Sequence, residues 1–482
     1  LDFKIMIHKI HRGENLPSVV GGGEYAIWGF RDTKHDYSKV KLPQDIRNCR
    51  TCHDEKDTET PDAGKWLSAP SKEVCGSCHD NINFETGQNH SLENLPVTNA
   101  DCTICHKQGG FVGAIDRSHA MLEVEEAAKF KFNILNITNT SPGEFPQITF
   151  SVTNPANNDV AYNIEGDAPF VQGGGASRVA IDIGWQTSDY NNTGSGRSPA
   201  SMVSLNPLGG GAANNGNGTF TMTSTTAIPT GMTGSGMVSI EGHPAVDVNG
   251  DGTAERIAVK GATTFFAITD ATPSARRAVV SIDKCNACHK TLSLHGANRT
   301  DNIDQCLGCH NANNTDINRR PTSPSSALDG KKEESIDFKR LIHALHAGAD
   351  GVGTVVYGFG GRAHDFRAVE FPGNLNKCSQ CHINETYYSV GTGVLATTID
   401  TGTNVADPLD DTRITPTTSA CSACHNAPLS LEHMKQNGGA FDATQAADGT
   451  LTSATAGVVV ETCGVCHGKD KLADVKKVHH IE

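Results

Sequence analysis

CNACHKTLSLHGANRTDNIDQCLGCH, residues 285–310, contains one five-residue pattern twice, Cys-x-x-Cys-His, at Cys285–His289 and again at Cys306–His310. Six more copies begin at Cys49, Cys75, Cys102, Cys378, Cys421 and Cys463, and together the eight account for all sixteen cysteines. The second thiols are Cys52, Cys78, Cys105, Cys288, Cys309, Cys381, Cys424 and Cys466. The closing histidines are His53, His79, His106, His289, His310, His382, His425 and His467. Two thiols at this spacing bond the two vinyl groups of one haem, and the adjacent imidazole reaches its iron from the proximal side. Zinc ribbons need two Cys-x-x-Cys pairs per metal and no trailing histidine. A disulfide scaffold gives no reason for histidine after every second cysteine. Redox Cys-x-x-Cys motifs come singly on a thioredoxin-like pattern that is absent here. Eight covalently attached haems c are the expectation.

Of 21 histidines, thirteen remain once the motifs are removed. Twelve lie among the motifs and are distal-ligand candidates: His8, His11, His35, His90, His119, His295, His343, His346, His364, His433, His479 and His480. His243, in Glu-Gly-His-Pro within a cysteine-free stretch, reads as an ordinary histidine. Methionine is the usual rival ligand, but there are only seven. Bis-histidine ligation throughout implies low potentials and no open coordination position.

The chain repeats itself. LDFKIMIHKIHRG (1–13) matches IDFKRLIHALHAG (336–348), and each places two histidines three apart on one helix surface. Trp28-Gly29-Phe30 corresponds to Tyr357-Gly358-Phe359, His35-Asp36 to His364-Asp365, and Pro43 to Pro372. His35 and His364 each precede the next motif by fourteen residues. Cys75 then pairs with Cys421, Cys102 with Cys463, His90 with His433, and His119 with His479 or His480. Asp36 and Asp365 either orient the neighbouring imidazole or are solvated turn residues. The second copy has two motifs before its helix; the first has none, because the sequence starts there. The expectation is a natural polypeptide that extends upstream with two further haems and any export signal or anchor.

Between about Lys129 and Val280 the pattern changes. Period-two runs (Ile148, Phe150, Val152; Val179, Ile181, Ile183; Ile257, Val259) alternate with Gly/Asn/Pro/Ser turns, which reads as an all-β sandwich or barrel. The expected organisation is a three-haem domain (1–126), a β-domain (127–280) that spaces or docks the haem clusters without chemistry of its own, and a five-haem domain (281–482). The haem domains should hold little regular secondary structure, only short helices and loops. Within the β-domain, Asp247, Asn249, Asp251, Thr253 and Glu255 resemble the first part of a calcium loop, although Ala258 stands where the twelfth-position acid belongs. A plain Asn-Gly-Asp-Gly hairpin is the alternative. The Gly-, Thr-, Ala- and Asp-rich stretches 391–418 and 437–456 read as surface insertions.

The bulk numbers agree. A formal net charge of −14 argues against a nucleic-acid partner. No apolar run approaches the roughly 18–20 residues of a membrane span. Aromatic residues make up only 6% of the chain, so something other than side chains is expected to fill part of the interior.

DFKxxIHxxH, CNACHKTLSLHGANR followed by CLGCHNANNTDINRRP, and the β-domain before them resemble the OmcA/MtrC family of outer-surface decahaem cytochromes. The resemblance covers essentially the whole chain. It implies β-domains alternating with pentahaem domains, haems forming a continuous wire, and electron delivery at the cell's outer surface. The implied acceptors are metal oxides and other minerals, flavins, soluble acceptors, partner cytochromes or copies of the protein itself. This chain lacks the family's first β-domain and first two motifs.

Three functions are weighed from the motifs and the resemblance together. The first is an electron conduit, placed outside the cell by the resemblance, that is expected not to be an enzyme in the ordinary sense, with terminal metal reduction as what the resemblance allows. The second is a subunit of a cytochrome filament, with His8, His11, His479 and His480 at the chain ends capping haems of neighbouring subunits. An octahaem reductase of nitrite, hydroxylamine or a sulfur oxyanion is disfavoured. It needs an open iron, and every motif here ends in histidine.

Overall fold

The computed structural model describes residues 2–90, 95–110, 112–192, 200–388, 390–391 and 393–480. The chain divides into two compact units, 1–122 with 288–290, and 123–287 with 291–482.

Regular structure in the first unit is short. Helix α1 (Phe3–Arg12) begins where the Asp2 carboxylate accepts from the Lys4 amide, and ends at Gly13. Gly13 has φ +45°, and a Cβ there would lie 2.3 Å from the Val40 carbonyl oxygen, which accepts from the Glu14 amide. Only glycine closes this turn. A hairpin follows, β1 (Ala26–Trp28) with β2 (Lys34–Asp36). Then come two motif-bearing helices, α2 (Lys72–Cys78) and α3 (Asn99–His106). Thr98 and Asp101 form a capping box at the start of α3. Lys9 of α1 pairs with Asp80, just beyond α2, at 2.9 Å.

The second unit opens with the β-domain, and it is a sandwich. Its main strands are β3 (Lys131–Thr138), β4 (Gln147–Asn154), β5 (Arg178–Trp185), β6 (Val203–Leu205), β7 (Phe220–Thr223), β8 (Ser235–His243) and β9 (Ala262–Ala267). One antiparallel sheet runs β3-β4-β7, extended by short edge strands, and the other runs β9-β8-β5-β6. The alternation read from sequence decides which side chains meet. Ile148, Phe150 and Val152 of β4 and Phe220 of β7 pack against Ile181, Ile183 and Trp185 of β5 and Val238 and Ile240 of β8. Each such side chain, fully buried, contributes about 1.5–3 kcal/mol.

Beyond the sandwich the haem motifs return. Helices α4 (Ile282–His289) and α5 (Ile303–Cys309) carry the motifs quoted first, and α6 (Phe338–Ala347) repeats α1 in detail. Asp337 caps α6, and Gly348 ends it at φ +42° with a Cβ position 2.1 Å from the Val369 carbonyl oxygen. That oxygen accepts from the Ala349 amide. The hairpin of β10 (Val355–Tyr357) and β11 (Ala363–Asp365) repeats β1–β2.

The stretches read as insertions are more ordered than expected. Residues 397–400, 412–414, 443–445, 451–453 and 457–458 pair in that order as one antiparallel five-stranded sheet, with α7 (Pro428–Gln436) between its second and third strands. Polar side chains hold it. Thr397 shares hydrogen bonds with Asp337 and Ser419, and Arg413 pairs with Asp411 at 3.0 Å, all buried. Thr392, within the first stretch, lies outside the described residues.

Candidate haem sites

The motif places its cysteines three residues apart, which on α2, α3, α4 and α5 puts both thiols on one helix face. On α2 and α5 the histidine leaves the helix at its C-cap, and its amide still closes on the first cysteine's carbonyl. At Cys49 and Cys378 a single 3₁₀ turn does the same work.

Among the described residues, seven motif histidines are placed facing the ring of a second histidine. An imidazole centre lies about 1.1 Å from its ligating nitrogen and a metal–imidazole bond is about 2.0 Å, so two axial rings on one iron stand roughly 6.2 Å apart. His8 and His53 stand 6.1 Å apart, His79 and His119 6.2 Å, and His90 and His106 6.1 Å. In the second unit His295 and His310 are separated by 6.1 Å, His343 and His382 by 6.0 Å, His425 and His479 by 5.7 Å, and His433 and His467 by 6.0 Å. The residues fit a bis-histidine haem at each of these places.

Their outer nitrogens support this. The Nδ1–H of His8 donates to the Lys4 carbonyl, that of His106 to Gly113, His119 to Ile115, His310 to Ile336, His467 to Ala473 and His479 to Val475, at 2.6–3.0 Å. Such a bond fixes the ring tautomer and leaves Nε2 for a metal. Burial holds His53, His79, His310, His343 and His425 below the ordinary histidine range, and lowers His382 to about 4 and His295 to about 3. Each ring is therefore neutral at pH 7, as a ligand must be.

The repeat extends to the angles between rings. His8–His53 and His343–His382 are nearly parallel, at 9° and 13°. His79–His119 and His425–His479 stand at 64° and 61°, and His90–His106 and His433–His467 at 87° and 88°. His119 and His479 thus take matching places in the two copies.

His11 and His346 sit three residues beyond His8 and His343, with Nδ1–H bonded to the Ile7 and Ile342 carbonyls at 2.8 and 2.9 Å. His35 and His364 lie instead against glycine: a Cβ on Gly29 or Gly358 would stand 2.9 Å from the imidazole Nε2. Asp36 accepts from the Ser38 amide, and Asp365 from the amide and guanidinium of Arg367, so these carboxylates serve turns. His243 is buried at the end of β8, and burial lowers it to about 4.

The calcium-loop residues take the hairpin form. Asp247 accepts from the amides of Gly250, Asp251 and Gly252, Asn249 from that of Asp251, Asp251 from that of Thr253, and Glu255 from that of Val248. The oxygens that a cation needs are turned to backbone, and among the described residues no three acidic, histidine or cysteine groups converge on a metal position.

One family model, described as outer membrane cytochrome MtrC/MtrF-like, domains II/IV, matches residues 1–120 and again 277–480. The chain belongs to the MtrC/MtrF-like outer membrane cytochrome family. Within that family it is 24% identical over 516 aligned positions to the multihaem cytochrome MtrC of Shewanella baltica strain OS185, covering 94% of this chain and 67% of that protein. The crystal structure of the outer membrane decahaem cytochrome OmcA superposes with a TM-score of 0.64 at 18% identity, over 99% of this chain and 67% of the other. The crystal structure of MtrC from the same Shewanella strain gives 0.56 at 18% identity, over 91% and 64%. The family match and these folds make this chain a multihaem c-type cytochrome of alternating haem and β architecture. No described helix is long and apolar enough to cross a membrane.

Sequence reasoning missed one group. Asp182, Glu241 and Gln305 are buried and, with the half-buried Arg299, form a polar cluster between the sandwich and α5. The signal was an acid in each of two strands whose neighbours alternate apolar, which reads as a solvent-facing position.

Proposed function

We propose that this cytochrome carries eight haems c and moves electrons through them to acceptors outside the cell: metal oxides, flavins or partner cytochromes. The proposed attachment residues are the sixteen motif cysteines, with the eight motif histidines as proximal ligands. Distal ligands are His8, His119, His90, His295, His343, His479 and His433, for the motifs beginning at Cys49, Cys75, Cys102, Cys306, Cys378, Cys421 and Cys463. For the Cys285 motif the ligand is sought among the remaining five candidates, led by His11 and His346. The proposed division into haem, β and haem domains is 1–126, 127–280 and 281–482.

The observation that carries this reading is the set of seven imidazole pairs at iron-spanning separation. Haem c bound there supplies reversible one-electron storage. At seven motifs the chain's own residues would hold the iron on both axial sides, backbone carbonyls fix the tautomers of six of these rings, and burial lowers the proton affinity of His53, His79, His295, His310, His343, His382 and His425. With both axial positions filled, a site passes electrons and does not bind substrate.

The test is the intact mass and pyridine haemochrome of protein matured with haem, followed by mixing of the reduced protein with ferric oxide or oxidised flavin. Eight haems, and reoxidation by those acceptors, are expected. Fewer than eight haems, or turnover of nitrite or hydroxylamine in place of simple reoxidation, would overturn it.

A further inference from the structure

The sheet β9-β8-β5-β6 has a second face, and it is polar. Because Val179, Ile181 and Ile183 enter the sandwich core, period two puts Arg178, Ala180, Asp182 and Gly184 on the opposite side of β5. On β8, Val238 and Ile240 face the core, and Met237, Ser239, Glu241 and His243 lie opposite. Asp182 and Ser239 are register partners. Helix α5 covers this face. Its Gly308 is pressed so close that a Cβ would stand 2.4 Å from the Met202 sulfur, and the Gln305 amide donates to Asp182 (3.5 Å) and to Glu241 (3.1 Å). The helix bearing Cys306 and Cys309 therefore rests on two carboxylates, Asp182 at 2% exposure and Glu241 at 0%.

The two acids are unequal. Glu241 pairs with two guanidiniums, Arg178 at 3.0 Å and Arg299 at 2.5 Å. Asp182 has the Gln305 amide and the Ser204 hydroxyl. The charged groups that face it are Glu241 from β8, Arg178 from β5, and Arg299 from the short strand Arg299–Thr300. From helix α5 Gln305 bonds to it, and from β6 Ser204 does so. Burial and the neighbouring Glu241 charge raise the Asp182 carboxyl to about 6, and among the described residues Asp182 itself makes no direct ion pair of the kind that Glu241 makes with Arg178 and Arg299. Asp182, Glu241 and Arg299 all act electrostatically on Cys309, and Arg299 acts on both His295 and His310.

We propose that Asp182 is the proton acceptor for the haem attached at Cys306 and Cys309, binding one proton from solvent when that iron takes up one electron. The inference rests on the reading that this motif carries a haem. The iron goes from ferric to ferrous with an electron from a donor haem, the aspartate goes from carboxylate to carboxylic acid, and no other bond changes. In a site of low dielectric an added negative charge raises the proton affinity of a nearby carboxylate that makes no direct ion pair. Arg299 is the fixed countercharge, and Glu241 keeps it in place. The β-domain thereby takes part in electron transfer.

The experiment is reduced-minus-oxidised infrared difference spectroscopy of the holoprotein between pH 6 and 8, with the wild type, Asp182→Asn and Glu241→Gln. The wild type is expected to gain a protonated-carboxyl band on reduction. The band should shift in deuterated water, vanish in Asp182→Asn and survive in Glu241→Gln. Absence of the band in the wild type overturns the proposal without any variant. Its persistence in Asp182→Asn assigns it to other carboxyls, haem propionates included, and overturns the proposal as well. Should Asp182→Asn fail to fold, Asp182→Glu must move the band's frequency, and an unmoved band is again a refutation. The underlying haem reading fails separately, if the proteolytic peptide containing Cys306 and Cys309 lacks the mass of one haem.

Discussion

The rings of His343 and His382 face each other at 6.0 Å and 13°, and three residues further along α6 His346 bonds back to its own helix through Nδ1. One helix turn thus presents two imidazoles with prescribed orientation, as α1 does with His8 and His11. Removing one of them should open a single iron. In His343→Ala, carbon monoxide is expected to bind one ferrous haem per chain, against none in the wild type. Carbon monoxide difference spectra measure this. His343→Met should leave the site closed but raise that haem's potential, because a thioether favours the ferrous state.

The matched ring angles predict an electron paramagnetic resonance signature. Nearly parallel imidazoles separate the two iron orbitals that mix with the ligand planes, and perpendicular ones leave them close in energy. His8–His53 and His343–His382 should give ordinary rhombic signals, and His90–His106 and His433–His467 strongly anisotropic ones. His90→Ala is expected to remove about half of the strongly anisotropic intensity. An unchanged spectrum would contradict the assignment.

Stability should depend on pH through Asp182. Its folded-state carboxyl is raised to about 6, above the unfolded aspartate value. The stability it contributes is therefore full below about pH 4 and is lost as pH rises through 6. Asp182→Asn should be more stable than the wild type at pH 7–8, by on the order of 2 kcal/mol, with the difference vanishing near pH 4. Thermal unfolding across that range checks it.

Gly13 and Gly348 should be intolerant of any side chain. Both have positive φ, and a Cβ would strike the Val40 or Val369 carbonyl oxygen at 2.3 and 2.1 Å. Alanine at either position should cost about 2–3 kcal/mol and displace the neighbouring histidine pair. The loss would show as a lower melting temperature and a perturbed haem spectrum in the corresponding half only.

What could be read from sequence follows how local each constraint is. Cys-x-x-Cys-His is complete within five residues, so its chemistry is legible wherever it occurs. The β-domain announced itself because Val179, Ile181 and Ile183 alternate over a span as short as one strand. Distal ligands are non-local: nothing between His90 and Cys102 states that His90 faces His106, and the repeat supplied only the correspondence to His433. The cluster at α5 was illegible for a sharper reason. Asp182 and Glu241 occupy the outward positions of their strands, and only the covering helix turns outward into buried. The threonine-rich stretches hid their sheet because Thr397, Ser419 and Asp411 are held by hydrogen bonds, which hydropathy does not register.

The polar face under α5 bears on how such chains recombine. A crossover near residue 280 separates Asp182 and Glu241 on one parent from Arg299, Gln305 and the cramped Gly308 on the other. A sandwich grafted from a relative with an apolar outer sheet would strand a guanidinium beside a haem motif. Hybrids that exchange 127–310 as one block would keep the cluster whole, because its contacts cross the border between the strands and the haem-motif helix.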